Sequence, residues 1–182
     1  MGAEAAVKEG WRGRFFEDFE VGDVYQHPFG RTLTDVDNTW FTLLTMNTAE
    51  THFNHEVGRA SEFGRGLINS TLTLAIAVGQ SVIDTSQNAL ANLGWENVAL
   101  TRPVFAGDTL WSESLVLSKR SSDSRPYAGI VTIKTRALNQ HGDEVLSFAR
   151  TFYVYKRGAE QRPQGSFPQA STPITAELGQ PA

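Results

Sequence analysis

The stretch Asn69–Ser86, NSTLTLAIAVGQSVIDTS, decides how this chain folds. Leu72, Ala75, Ile76, Gly79 and Ile83 recur at helical spacing and share one face, while Leu74, Ala77, Val78 and Val82 fill the neighbouring one. An apolar arc this wide predicts a helix covered on most sides. Asn69 or Ser70 can cap its start, which leaves first-turn backbone N–H groups pointing back into the preceding segment. The most apolar part, Leu72 to Ile83, falls well short of the roughly 20 residues a bilayer crossing requires.

Downstream of this helix the period changes from 3.6 to two. Residues 110–118 (LWSESLVLS), 129–137 (GIVTIKTRA) and 144–155 (EVLSFARTFYVY) alternate apolar and polar side chains, as in Val131 and Ile133 against Thr132 and Lys134. NQHGD joins the last two as a hairpin loop, with Gly142 for the positive φ. GWENVALTRPVFAGDTL (94–110) supplies another strand before a turn at Ala106-Gly107-Asp108. Upstream, DVYQHPFGRTLT (23–34) reads as an early strand. Thr34, Asp35 and Asp37 provide a cap and first-turn charge for a second helix through DVDNTWFTLLTM. One long apolar helix with about four antiparallel strands after it and one before it is an α+β layout, either a sheet curled around the helix or a generic α+β sandwich of the same elements without the wrapping.

At 182 residues the chain suits one domain, expected over residues 13–157 with loosely ordered ends at 1–12 and 158–182. The composition is 40% hydrophobic and 20% charged with a net charge of -4, so the basic excess of a nucleic-acid surface is missing. There is no cysteine, which removes disulfides, thiolate metal ligands and a cysteine nucleophile. The opening MGAEAAVKEG has no apolar run of the kind a secretory signal needs, and a cytoplasmic setting is expected.

Chemistry concentrates in residues 44–70, LTMNTAETHFNHEVGRASEFGRGLINS, read as an irregular polar loop. His52 is the leading candidate, because an imidazole titrates near neutrality and serves as a general base there. Asn47, five residues earlier, can hold a water or a substrate carbonyl, or it can cap the preceding helix in the left-handed conformation. The start of the long helix offers N–H groups for a developing oxyanion. Gly64 and Gly66 read as turn residues, since a lone G-x-G does not make a phosphate cradle. His52 and His55 lack acidic partners at a metal spacing apart from Glu50 and Glu56, so no metal is expected. No G-x-S-x-G elbow occurs. Lys119, Arg120 and Arg125 gather around a turn and can grip phosphate.

These segments, together with NLGWENVALTRPVFAGDTL and SSDSRPYAGIVTIKTRALNQHGDEV, resemble the MaoC-like, (R)-specific enoyl-CoA hydratases of the hot-dog superfamily over residues 14–156. The resemblance implies a long helix wrapped by an antiparallel sheet, two such units forming a dimer, and an acyl-CoA thioester at their interface. It also implies no cofactor beyond the CoA of the substrate, and neither a nucleic-acid nor a membrane partner. The family's catalytic aspartate and histidine fall on Asn47 and His52. The places between and after them hold Ala49, Glu50 and Asn54, and the family's His-Gly pair at the helix start falls on Asn69-Ser70. The Ser70 N–H then takes the oxyanion role. A branch with asparagine at the aspartate position includes enzymes for branched or dicarboxylic substrates such as mesaconyl- and itaconyl-CoA. Arg65 is the candidate partner for a second carboxylate, and Asn69, Lys119, Arg120 and Arg125 are further substrate or CoA contacts. The alternatives are an acyl-CoA thioesterase working through Glu50 or Glu56, and a non-catalytic acyl-CoA-binding subunit.

Overall fold

The computed structural model describes residues 10–159 without a break, together with 6, 8, 168, 170 and 171. The ends expected to be loosely ordered lie largely outside the described residues. Within them, Trp11 is already tied down, its Nε1–H donating to the Ile83 carbonyl at 2.9 Å.

In chain order the elements are β1 (Val24–Gln26), β2 (Arg31–Thr32), α1 (Asp35–Leu44), α2 (His55–Ala60), α3 (Ser70–Ser81), β3 (Ala89–Leu100), β4 (Thr109–Ser121), β5 (Ala128–Leu138) and β6 (Glu144–Tyr155). The sheet is antiparallel in the order β1-β4-β5-β6-β3, with β2 also on β4, and α3 packs against β4 and β5. This is the α+β hot-dog arrangement.

Local chemistry explains most boundaries. Thr34 caps α1 by accepting the Asp37 N–H, while the Asp37 carboxylate accepts the Thr34 N–H, a reciprocal capping box. Asn69 caps α3 by accepting the Thr71 N–H at 3.0 Å. Gly142 takes φ +82° in the β5–β6 loop. The single early strand expected over 23–34 is instead two short ones. Pro28 offers no N–H for a ladder and Gly30 lies against the Trp111 ring, so the chain bulges between β1 and β2. The 44–70 stretch is also more regular than expected. It holds a 3₁₀ turn at Glu50–His52 and the short helix α2, capped by Asn54.

Inward-facing side chains of the sheet join residues of α3 and the connecting segments in two apolar clusters. One, including Leu33, Ile68, Leu72, Ala77, Leu110, Leu146 and Phe148, lies under α3; the other joins Phe16 and Phe19 to Val116, Val131, Ile133, Phe152 and Val154. A polar belt of Ser114, Thr135 and Arg150 separates them. Arg150 is 1% exposed, donates to Ser81 Oγ, Thr85 Oγ1 and Ser86 Oγ, and is pushed down to about 10 by burial. These contacts hold the C-terminal continuation of α3, Val82–Ser86, in a π turn. Beside them His27, 4% exposed, donates from Nδ1 to Asp84 at 2.9 Å and accepts at Nε2 from Ser114 Oγ at 2.9 Å.

The sequence predicted cover around most of α3, and the single chain supplies it on one side. Ala75 and Gly79 stay exposed, because one sheet layer can pack on only one face of a helix. Two more apolar surfaces are open. β3 is an edge strand and exposes Leu93, Trp95, Val98 and Leu100; α1 turns Val36, Trp40, Leu43 and Leu44 outward.

Candidate active site

His52 sits in the 3₁₀ turn between α1 and α2, half-buried. Its ring contacts the Leu67 carbonyl, with Nδ1 to oxygen at 2.8 Å. A carbonyl can only accept, so Nδ1 carries the hydrogen and Nε2 is left with the lone pair that a general base needs. The Leu67 N–H in turn donates to the Thr51 carbonyl at 3.2 Å, zipping the His52 turn to the segment that leads into α3.

Ser70 opens α3 and lines a cavity of about 250 Å³ together with Phe63, Leu67, Thr73, Arg102 and Val104. Its backbone N–H belongs to the first turn, where no helical carbonyl reaches, and the helix dipole adds positive potential there. His52 lines a much smaller neighbouring recess with Gly66, the residue before Leu67. His52 and the Ser70 N–H therefore flank one short segment, residues 66–69, each lining its own recess.

Asn47 is half-buried at the end of α1. It is not the left-handed residue there; Met46 takes that role at φ 57°. Its backbone N–H donates to the Thr42 carbonyl at 3.0 Å, and its side-chain oxygen accepts the Ala49 N–H at 2.9 Å. One lone pair of that oxygen is thus committed to the turn, and the other, with the NH₂ group, is what it can offer a ligand.

The remaining candidates divide. Asn69 is 3% exposed, with its oxygen accepting from Thr71 and its NH₂ donating to Thr42 Oγ1 at 3.1 Å, so it is a cap and scaffold rather than a ligand contact. Arg65 is exposed and lies flat on the Phe105 ring, 3.6 Å from its centroid, and Phe105 stacks edge-on with the cavity residue Phe63. Lys119, Arg120 and Arg125 are not brought to this site. The site lies at the start of β4, where Leu67 bridges to Phe105, and the cationic turn lies at its other end, roughly 30 Å of extended strand beyond Leu110. Lys119 there donates to the Phe19 carbonyl and to Glu20, and Arg125 lies over Tyr153. Glu50 and Glu56 are exposed and engaged with Asn54 and Arg59.

Three participants escaped the sequence reading. Arg102 lines the cavity beside Ser70 and pairs with Asp143 at 3.4 Å. Asn38 and Thr42 are polar residues on the inner face of α1, 2% and 0% exposed. The signal was present in DVDNTWFTLL, where the apolar Trp40, Leu43 and Leu44 fall off the face that Asn38 and Thr42 share at i, i+4. Among the described residues no group of three or more His, Asp or Glu side chains is placed to hold a metal ion, and no helix is long and apolar enough to cross a membrane.

Comparison with known proteins follows the same lines. The chain is 33% identical to the mesaconyl-CoA hydratase of Cereibacter sphaeroides over 90% of its own length and 48% of that protein, so it spans about half of that curated relative. Its structure superposes on a putative MaoC domain protein dehydratase from Chloroflexus aurantiacus with a TM-score of 0.78 at 29% identity, covering 90% of this chain and 46% of that one. A Mycobacterium tuberculosis protein described as a double hot-dog fold matches at TM-score 0.74 and 22% identity over 91% of this chain and 53% of that one, a likeness of fold. The family model for mesaconyl-CoA hydratase matches residues 3–180, and with the hot-dog architecture in place the chain belongs to that MaoC-like hydratase family.

Proposed function

We propose that this chain catalyses the reversible addition of water across the double bond of a branched, dicarboxylic 2-enoyl-CoA of the mesaconyl type. The observation that carries the reading is the His52 ring, held on the Leu67 carbonyl at 2.8 Å so that Nε2 is the proton-accepting atom, one short segment from the start of α3. Asn47 orients a water, His52 Nε2 takes one of its protons as the oxygen bonds to C3, and the double-bond electrons move toward the thioester. The Ser70 N–H and the α3 dipole stabilise the enolate oxygen. Protonated His52 then returns its proton to C2, so that H and OH are added and nothing else is consumed. Arg102, which shares the cavity with Ser70, becomes the better candidate than Arg65 for a second carboxylate.

A second hot-dog unit completes the protein in this reading. The 12-residue β3 edge with Leu93, Trp95, Val98 and Leu100 exposed would template aggregation if left bare, and the relatives matched over 48% and 46% of their length have room for two such units. Here a second copy of the chain supplies it, forming a homodimer in the cytoplasm with an acyl-CoA thioester as its small-molecule partner.

The test is direct. With mesaconyl-CoA, absorbance of the conjugated thioester should fall without release of free thiol, and His52→Ala should lower kcat by about 10²- to 10⁴-fold. Stoichiometric thiol release would replace this reading with a thioesterase. Tight binding without turnover would replace it with a binding subunit.

A further inference from the structure

We propose that Asn38 and Thr42 are positioning residues: from the inner face of α1 they set the His52 base against the Ser70 end of α3, an inference that rests on the hydration reading above. Asn38 spends its side chain on three backbone groups of the site. Its Nδ2 donates to the His52 carbonyl at 2.7 Å and to the Leu67 carbonyl at 3.0 Å, and its Oδ1 accepts the Asn69 N–H at 2.8 Å. The Leu67 oxygen has two lone pairs, and Asn38 Nδ2 and His52 Nδ1 take both. One buried amide thus holds the residue carrying the base, the carbonyl that fixes its tautomer, and the residue preceding the oxyanion donor.

Thr42, one helical turn on, extends the same rail. Its Oγ1 accepts from Asn69 Nδ2 at 3.1 Å and its carbonyl accepts the Asn47 N–H at 3.0 Å. Asn47, His52 and Asn69 lie along one partly exposed segment, with Asn69 seventeen residues beyond His52, and α1 is the element that touches all three. The composition of α1 argues that this is its task. It buries Asn38 and Thr42 while Trp40, Leu43 and Leu44 remain outside, the reverse of a helix selected for core packing. Buried polar groups are costly unless satisfied, and a network satisfied in full specifies one geometry.

The experiment compares Asn38→Asp, Thr42→Val and Thr42→Ser. Asn38→Asp keeps the acceptor for Asn69 but turns a carboxylate oxygen toward the His52 and Leu67 carbonyls. Thr42→Val keeps shape and loses the acceptor. With mesaconyl-CoA, kcat should fall about 10- to 100-fold in both with KM changed little, the size expected of a displaced catalytic group, and Thr42→Ser should restore it. The ¹⁵N shifts of the His52 ring should report the Nδ1–H tautomer in the native protein and its loss in Asn38→Asp. That spectrum does not depend on turnover, so failure of the hydration reading would appear as an inactive native protein while the tautomer still tests the positioning. Unchanged kcat in folded Asn38→Asp and Thr42→Val, or a His52 tautomer indifferent to Asn38, would overturn the inference. If Asn38→Asp does not fold, Thr42→Val and its serine rescue decide the matter.

Discussion

Replacing His27 by glutamine should remove an acid-sensitive element from the fold. Burial pushes the His27 imidazole below its usual value near 6.5, the Asp84 hydrogen bond offsets this only in part, and the positive charges of Arg150 and Arg14 add to it. Burial would raise the Asp84 carboxyl, but hydrogen bonds from His27 and Arg14 outweigh that and hold it below the usual carboxylate range, so it stays charged through the window of interest. The imidazole is therefore neutral in the native state, donating to Asp84 and accepting from Ser114, whose hydroxyl oxygen in turn lies 2.8 Å from Thr135 Oγ1. In the unfolded chain it takes a proton near pH 6.5. The unfolded state thus binds more protons below that value, and native stability is intact above it and falls as the pH drops toward the lower folded value. The slope is at most about 1.4 kcal/mol per pH unit, a ceiling of about 2 kcal/mol by pH 5. Glutamine can donate its amide to Asp84 and accept from Ser114 without titrating, at a cost of roughly 1–2 kcal/mol at neutral pH for altered shape. Urea unfolding of both proteins, at one protein concentration from pH 7.5 down to 5, measures the difference. The native protein's advantage should shrink steadily on acidification. Parallel stability curves, or a native protein that loses less than the variant, would refute the reasoning.

Two further outcomes follow from the packing. Gly58→Ala would set a methyl 2.6 Å from the Gly66 nitrogen and 2.9 Å from its Cα, both backbone atoms, so α2 must move off the segment that carries Leu67. The expected loss is about 1–3 kcal/mol in unfolding free energy together with a lowered kcat, read by denaturation and steady-state kinetics; a fully active, equally stable variant would contradict it. On the β3 edge, Leu93→Lys with Trp95→Lys should convert a dimer to a monomer in sedimentation, and an unchanged dimer would place the interface elsewhere.

How much of this was legible in the residues varies by element. The α3 helix, its Asn69 cap, the Thr34 box, the β5–β6 loop and the strands after it were readable because periodicity, caps and turn residues act over a few neighbours. His52 stood out as a candidate base for the same local reason, an imidazole in a polar segment. The split of the early strand was only half legible: Pro28 is a local signal for a broken ladder, but the Trp111 ring against Gly30 is brought there by the fold. The commitment of the Asn69 amide to Thr71 and Thr42, and the distance of the Lys119–Arg125 turn from His52, were not legible either. Residue type says what a side chain can bind but not which end of β4 it occupies.

Residue order alone specified an α+β chain with one apolar helix, a period-two sheet and a polar segment carrying His52 and His55 ahead of that helix. The folded chain alone fixes which nitrogen of the His52 ring carries the hydrogen, Nδ1 facing a carbonyl at 2.8 Å. The carbonyl that sets it lies fifteen residues away at Leu67, and the amide that steadies that carbonyl belongs to α1. A hydrogen bond between residues so far apart depends on how the intervening chain is folded back, and no local propensity carries that information.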